Sequence, residues 1–178
     1  MRIISGKYRG RTIHPPRNLR ARPTTDFAKE NLFNILSGRF CFEELDVLDL
    51  FAGTGSVSYE FASRGAQSVT SVEINAVHHA FIRQTASELK FDNLHAVKAN
   101  VFLYLKSCQK QFDIIFSDAP YDLSDSEQVI EQVFERELLR KGGVLIFEHG
   151  KSQNFHDHPH FLEQRSYGSV QFSFFGME

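Results

Sequence analysis

Four residues near the middle of the chain have the chemistry to hold a flat base that carries an amino group. Asp118-Ala119-Pro120-Tyr121 follow the apolar run Phe112–Phe116. The Asp118 carboxylate and a neighbouring backbone carbonyl can accept hydrogen bonds from an exocyclic NH₂ group, while Pro120 stiffens the loop. Tyr121 can stack on a base turned out of its helix. Taken alone, the segment would be interpreted as a simple Asp-x-Pro turn, so its meaning depends on a cofactor motif elsewhere.

A glycine-rich turn earlier in the chain supplies such a motif. Gly53 and Gly55 follow a strand-like apolar run at 46–51. Glycine permits backbone angles and close approaches that a Cβ atom forbids, and the next helix begins with unpaired N–H groups. Glu73, 18 residues after Gly55, ends the following strand pattern, where a carboxylate can accept both hydroxyls of a ribose. The motif fits NAD, FAD or S-adenosylmethionine. Ser58 replaces the third glycine of dinucleotide-binding turns, so the motif does not select a cofactor that carries a pyrophosphate.

The remaining pattern predicts an α/β fold with a doubly wound, mostly parallel sheet. Strand-like and helical runs alternate after residue 46. Two strands within Phe161–Phe175, joined near Tyr167-Gly168, would add an antiparallel part and bring the total to seven. Before this region we expect a hairpin in residues 2–13 and a helix capped by Thr24 or Thr25. The predicted strands are 46–51, 68–73, 95–99, 112–117 and 143–148, and the predicted helices run to Leu36, to Arg64, over 75–89 and over 125–139.

Charge is distributed unevenly along a chain whose formal net charge is only −2. Residues 1–25 contain seven basic and no acidic residues, whereas the other 153 residues contain 13 basic and 22 acidic residues. This asymmetry predicts a basic arm that contacts a polyanion through its phosphate groups. The alternative is a solvated tail whose charge only aids solubility.

Other features of the composition predict a cytoplasmic monomer. A length of 178 residues allows one core with a small appendage. Cys41 and Cys108 have no CxxC spacing, and we find neither a signal-peptide segment nor an apolar stretch of bilayer length. We therefore expect no membrane partner. The late histidines match no common zinc pattern, so we expect no metal; they are His149, His156, His158 and His160.

Four segments together resemble the RsmD family of bacterial 16S ribosomal RNA guanine-N2 methyltransferases, which belong to the class I S-adenosylmethionine-dependent methyltransferases. The glycine turn alone would mark only that broad superfamily, and the two N-terminal segments narrow the similarity to the family. The resemblance implies a Rossmann-like, seven-stranded domain at residues 41–178 and a small hairpin and helix extension at residues 1–40 that binds RNA. The four segments are Arg2–Arg11, Arg22–Leu36, Val47–Gly55 and Phe112–Tyr121.

The resemblance also implies an activity and roles for individual residues. The implied reaction transfers a methyl group from S-adenosylmethionine to the exocyclic N2 of a guanine in 16S ribosomal RNA, within small-subunit particles. Asp118, Pro120 and Tyr121 match the family's catalytic Asp/Asn-Pro-Pro-Tyr. Ala119 replaces its first proline, and Asn100 stands where the family usually has an aspartate near the adenine amino group. The implied cofactor residues are Asp49, Phe51, Gly53, Gly55, Glu73 and Asn100, and the implied RNA-binding residues are Lys7, Arg9, Arg11, Arg22, Thr24 and Thr25.

The residues leave three other functions open. A DNA adenine-N6 methyltransferase shares the Asp/Asn-Pro-Pro-Tyr chemistry, but 178 residues leave little room for a target-recognition segment. An NAD-dependent oxidoreductase needs an acid or base for hydride transfer, and no such pattern is evident. A non-catalytic RNA-binding ribosome-assembly factor would not need the two glycines, Glu73 or Asp118.

Overall fold

A computed structural model describes residues 1–19 and 24–177. Its strands are β1 (Asp46–Leu50), β2 (Ser68–Glu73), β3 (Leu94–Lys98), β4 (Phe112–Ser117), β5 (Leu139–His149), β6 (Phe161–Tyr167) and β7 (Val170–Phe175). Its α-helices are α1 (Asp26–Ser37), α2 (Ser56–Ser63), α3 (Ala76–Glu88), α4 (Val101–Ser107) and α5 (Gln128–Glu135), and a short 3₁₀ turn covers Phe42–Glu44.

The strands form one seven-stranded sheet in the order β3-β2-β1-β4-β5-β7-β6. The first five of these are parallel to one another, and β7 and β6 add antiparallel pairs at one side. Helices α1, α2 and α3 pack on one face of the sheet, while α4 and α5 pack on the other. The predicted doubly wound α/β sheet with a closing antiparallel hairpin is therefore confirmed. Within the two described ranges, no helix is both long and apolar enough to cross a bilayer.

Several element boundaries differ from the sequence prediction. The helix predicted over 125–139 ends at Glu135, and β5 begins at Leu139 rather than at residue 143. The apolar pair Leu138 and Leu139 fits either structure, and here the pairing of Leu139 with Phe112 on β4 decides for strand. Helix α4 was not predicted, because its seven residues are too few to show a helical period. The predicted hairpin in residues 2–13 is short: it has one antiparallel bridge, Arg2 to Thr12, flanked by hydrogen bonds from the Ile3 N–H to the Arg11 carbonyl and from the Ile13 N–H to the Met1 carbonyl.

Residues 1–19 hold helix α2 against the sheet. All eight residues of α2 are buried, and the N-terminal segment covers the side of the helix that faces away from the sheet. The fully buried Glu60 carboxylate accepts hydrogen bonds from the backbone N–H groups of Ile4 (2.8 Å) and Ser5 (3.0 Å). It also accepts a hydrogen bond from Arg64 Nε at 2.8 Å, and Lys29 Nζ lies 3.9 Å away.

One hydrophobic core includes residues from both of the predicted regions, 1–40 and 41–178. Ile3, Ile13 and Phe33 belong to one apolar cluster with Val47 and Phe61. The extension thus contributes to the same hydrophobic core as the sheet. Its division from residues 41–178 as an RNA-binding unit stays a prediction.

Glu60 provides a test of this packing. Replacing Glu60 with Ala should lower the free energy of unfolding by about 3–5 kcal/mol, because it leaves two backbone N–H groups, the buried Lys29 and the partly buried Arg64 without their shared carboxylate. Urea unfolding followed by circular dichroism measures the change. Glu30→Ala, on the exposed face of α1, is the control and should stay within about 0.5 kcal/mol of wild type. Equal stability of the two variants would contradict the proposed role of Glu60.

Candidate active site

The register of the parallel strands brings three carboxylates into one row at the carboxyl edge of the sheet. Leu50, the last residue of β1, pairs with β2 and with β4, and the end of β4 pairs with β5. The next residues along β2, β4 and β5 therefore lie side by side; they are Glu73, Asp118 and Glu148. Asp49 on β1 faces the same side of the sheet and lies slightly further from its carboxyl edge. Ligands of open α/β sheets bind at this edge.

These four acidic residues line one cavity of about 370 Å³. Its size suits a single small ligand. The glycine turn forms one wall, and the loop that begins at Asp118 forms another. A second cavity of about 310 Å³ adjoins it and shares Pro120, Tyr121 and Glu148 with it.

The glycine turn has the backbone geometry that the sequence predicted. Gly53 and Gly55 have φ angles of +57° and +89°, and Phe51 before them also has a positive φ of +57°. A Cβ atom on Gly55 would lie 2.7 Å from the ring of the buried Tyr59. This close approach and the left-handed backbone together restrict position 55 to glycine.

Glu73 is fixed in place by the turn itself. Its Oε2 atom accepts a hydrogen bond from the Gly53 N–H at 2.8 Å, and its Oε1 atom accepts one from the Asn75 N–H at 2.7 Å. Each carboxylate oxygen can accept a further bond. The buried carboxylate is therefore oriented for hydroxyl donors of a ligand in the cavity.

Asp49 is the most deeply buried carboxyl group of the cavity. Burial raises its pKa to about 7, and the charges of Glu73 and Glu148 act in the same direction. A hydrogen bond from Ser58 Oγ at 2.5 Å opposes this shift only in part. In the ligand-free protein, Asp49 therefore takes up a proton as the pH falls through neutrality.

The Asp118 loop continues directly from β4. The Asp118 N–H donates to the Leu50 carbonyl at 3.4 Å, so the loop begins in line with the sheet. Ala119 is buried, and the Leu123 N–H donates to the Pro120 carbonyl at 3.0 Å and closes a turn. The Tyr121 side chain is 56% exposed at the mouth of the cavity. The position of this ring suits stacking on a base that enters from solvent.

Asn100 lies apart from the other predicted cofactor residues. It is the N-cap of α4, and its side-chain oxygen accepts the Leu103 N–H at 3.2 Å. Asn100 is not among the residues that line the cavity. The structure thus shows a capping role, and a contact between Asn100 and adenine stays a prediction.

The two threonines predicted to contact RNA lie at the start of α1. Thr24 is buried, lines the cavity and donates its hydroxyl to Glu148 Oε2 at 2.9 Å. The Thr25 hydroxyl accepts the Ala28 N–H at 3.2 Å and caps the helix, as the sequence predicted. Thr24 therefore joins the cavity to the N-terminal region. Arg22 lies outside the described residues.

Lys7, Arg9 and Arg11 are exposed on the N-terminal segment and do not line the cavity. This segment runs along α2: Lys29 Nζ joins Ser56 Oγ to the Arg2 carbonyl, and the Lys7 N–H donates to the Ser63 carbonyl at the far end. Since the eight residues of α2 span about 12 Å, Lys7 and Arg9 lie about that far from the cavity. Only a ligand larger than a nucleoside could contact both places.

Sequence reasoning missed two residues of this site. Glu148 had a signal, because it ends a predicted strand of the parallel sheet just as Glu73 does. Ser58 was noted only as a missing glycine, but its hydroxyl contacts both Asp49 and Ser71.

The described residues that line the cavity include four carboxylates and no lysine or arginine. Such a lining favours a ligand that carries positive charge over one that carries a pyrophosphate. In the part of the chain that the structure describes, no group of three or more His, Cys, Asp or Glu is arranged to hold a metal ion.

Comparisons with known proteins agree with this geometry. The family model described as conserved hypothetical protein 95 matches residues 1–176. The ribosomal RNA small subunit methyltransferase D of Buchnera aphidicola is 32% identical over 154 residues, which cover 86% of this chain and 78% of that protein. The solved structure of yhhF from Escherichia coli, described as a presumed methyltransferase, superposes with a TM-score of 0.87 at 25% identity and covers 98% of this chain and 96% of that one.

A more distant structure shares the fold. The 16S rRNA N2 G1207 methyltransferase of Thermus thermophilus, solved in complex with AdoMet and guanosine, superposes with a TM-score of 0.71. It is 21% identical, and the match covers 89% of this chain and 45% of that chain.

The pKa of Asp49 generates a test by unfolding. An acid whose pKa is raised on folding loses stabilisation as the pH rises through that pKa, so the ligand-free protein should become less stable between pH 4 and pH 7.5. The shift from 3.8 to about 7 corresponds to at most about 4 kcal/mol. Asp49→Asn should therefore gain stability relative to wild type over this range in urea titrations. The exposed Asp122→Asn is the control, and an Asp49→Asn profile parallel to it would contradict the assignment.

Proposed function

The chain belongs to the conserved hypothetical protein 95 family, and from this membership and the geometry of the cavity we propose that it methylates the exocyclic N2 of a guanine in 16S ribosomal RNA. It is an S-adenosylmethionine-dependent methyltransferase that acts on ribosomal RNA. The observation that carries the finer proposal is the row of Glu73, Asp118 and Glu148 across the sheet edge. In this proposal Glu73 accepts from the ribose and Asp118 accepts from the amine, and their strands are separated by β1 alone.

The residues present fit S-adenosylmethionine. Glu73 is oriented for the ribose hydroxyls, and the positive φ angles at Gly53 and Gly55 let the backbone approach the ligand closely. The acidic lining suits a ligand with a sulfonium and an ammonium group. Phe51 lines the same cavity, and Asn100, at the end of β3, is proposed to contact the adenine. The same lining disfavours NAD, whose pyrophosphate is anionic.

The catalytic work of the chain is orientation and charge stabilisation. The cofactor supplies an electrophilic methyl group on a positively charged sulfur. Asp118 accepts an N–H of the guanine amine, which directs the nitrogen lone pair toward the methyl group and offsets charge that develops on the nitrogen. Pro120 stiffens the loop, and Tyr121 stacks on the base at the mouth of the cavity.

The basic residues on the N-terminal segment are proposed to hold RNA phosphates while the target base enters the cavity. Lys7 and Arg9 are exposed about one helix length from the cavity, a separation that RNA spans across a few nucleotides. Arg11 is exposed on the same segment. We propose that Arg22, Thr24 and Thr25 also contact the RNA. In the sequence they lie between this segment and the glycine turn. The remaining chain is net acidic, so we propose that ribosomal proteins of small-subunit particles contribute to docking. We propose that the protein acts as a cytoplasmic monomer and without a metal ion.

Product analysis tests the proposed reaction. Purified protein should transfer a labelled methyl group to small subunits that lack the modification, and nucleoside analysis of the RNA should show N2-methylguanosine. A product of N6-methyladenosine in DNA, with none in RNA, would favour the alternative reaction. Cofactor binding without transfer to RNA or DNA would favour a non-catalytic assembly factor.

Asp118→Ala should reduce single-turnover methyl transfer by roughly 10²-fold or more, while the affinity for S-adenosylmethionine is nearly kept. Turnover should fall less in Asp118→Asn, since the amide oxygen can still accept one N–H bond. The matched control is Asp122→Ala in the same loop, which should retain wild-type turnover. Unchanged turnover in Asp118→Ala, measured beside calorimetric titration of the cofactor, would exclude the proposed role of the carboxylate.

Replacing Arg9 and Arg11 together with Ala should weaken binding to 16S RNA and reduce the slope of log K against log salt. Loss of two phosphate contacts changes that slope by about 1.4 to 1.8. Fluorescence anisotropy at several salt concentrations measures it. The double variant Arg136→Ala and Lys141→Ala removes the same charge from exposed positions near β5 and should keep the wild-type slope. If both double variants keep it, the basic segment is a solvated tail.

A further inference from the structure

Glu148 is a buried carboxylate of the cavity that the reaction described above does not use. It is 5% exposed at the end of β5, and it lines both the main cavity and the adjoining one. The hydroxyl of Thr24, which is buried as well, donates to its Oε2 atom at 2.9 Å. A carboxylate can accept about four hydrogen bonds, so a donor on a ligand can bind Glu148 beside the protein groups that hold it. The walls of the two cavities thus meet at the Glu148 carboxylate.

The order of the strands places Glu148 on the side of the base. Along the edge the sequence of groups is Glu73 on β2, Asp49 on β1, Asp118 on β4 and Glu148 on β5. Neighbouring strands are about 4.8 Å apart. If the cofactor ribose binds at Glu73 and the amine at Asp118, the cofactor occupies the β2 and β1 side. The rest of the base then lies over β4 and β5, against Glu148.

The acceptor-only chemistry of a carboxylate distinguishes the two candidate bases. In guanine the N2 amine lies next to the N1–H donor, so two carboxylates on adjacent strands can accept from adjacent donors. In adenine the N6 amine lies next to the N1 lone pair. With its amine at Asp118, adenine would place that lone pair against the Glu148 carboxylate, which cannot donate to it.

We propose that Glu148 reads the N1–H of the target guanine and is the residue that selects guanine over bases with an unprotonated N1. This inference rests on the proposed function, since it takes the guanine amine at Asp118 as given. The hydrogen bond from Thr24 is a structural contact of this carboxylate, and the reading of N1–H does not require it.

The base 2-aminopurine tests the inference, because it keeps the amine at position 2 but has a lone pair at N1. The guanine found by product analysis is replaced with 2-aminopurine in 16S RNA assembled by ligation, and the RNA is reconstituted into small subunits. The wild type should methylate guanine about 10²-fold faster or more, by kcat/KM. In Glu148→Gln, whose amide can donate to N1, that preference should fall about tenfold or more.

Two further variants separate base reading from a structural role. Glu148→Asp keeps an acceptor-only group and should keep the direction of the preference, even at a lower rate. Thr24→Val removes the same internal hydrogen bond that Glu148→Gln weakens, and it should keep the wild-type preference. Calorimetric titration with S-adenosylmethionine checks that each variant is folded and binds the cofactor.

The outcomes distinguish this inference from the function on which it rests. A wild-type protein that produces no N2-methylguanosine overturns both. Methylation of guanine with an unchanged preference in Glu148→Gln overturns the reading role alone. An equal loss of preference in Thr24→Val and Glu148→Gln also overturns it, since it assigns the effect to the structural hydrogen bond.

Discussion

The constraint on which the site depends is the parallel register of β2, β1, β4 and β5. Parallel pairing aligns the carboxyl ends of these strands, so residues far apart in sequence arrive in one row at one edge. Glu73, Asp118 and Glu148 need no loop to bring them together, because each directly follows a paired strand position. The spacing of these carboxylates is thereby set by the spacing of the strands, which backbone hydrogen bonds fix.

The N-terminal segment supports this edge from outside the sheet. Helix α2 begins at the glycine turn, and Lys29 and Glu60 tie its two halves to the backbone of residues 2–5. A segment predicted as an RNA-binding extension therefore also stabilises the glycine turn, which is proposed to bind the cofactor. Thr24, which connects α1 to Glu148, extends the same support to the side of the cavity where the base is proposed to bind.

The sequence predicted the sheet and most of the site for identifiable physical reasons. Strand periods, the two glycines and acids at strand ends are local signals, and these features are found in the structure. Helix α4 and the start of β5 were missed because short or doubly compatible segments are decided by tertiary pairing. Ser58 was missed for a related reason: its contacts with Asp49 and Ser71 exist only once α2 packs on the sheet. The raised pKa of Asp49 likewise arises from burial among other carboxylates.

The most direct test of the account is a crystal structure of the protein with S-adenosylhomocysteine and guanosine. The account predicts the cofactor ribose at Glu73 and the guanine over β4 and β5, with its N2 at Asp118 and its N1–H at Glu148. A cofactor whose ribose lies away from Glu73, or a guanine bound with its N2 remote from Asp118, would contradict the central claim that the row of carboxylates orders both ligands.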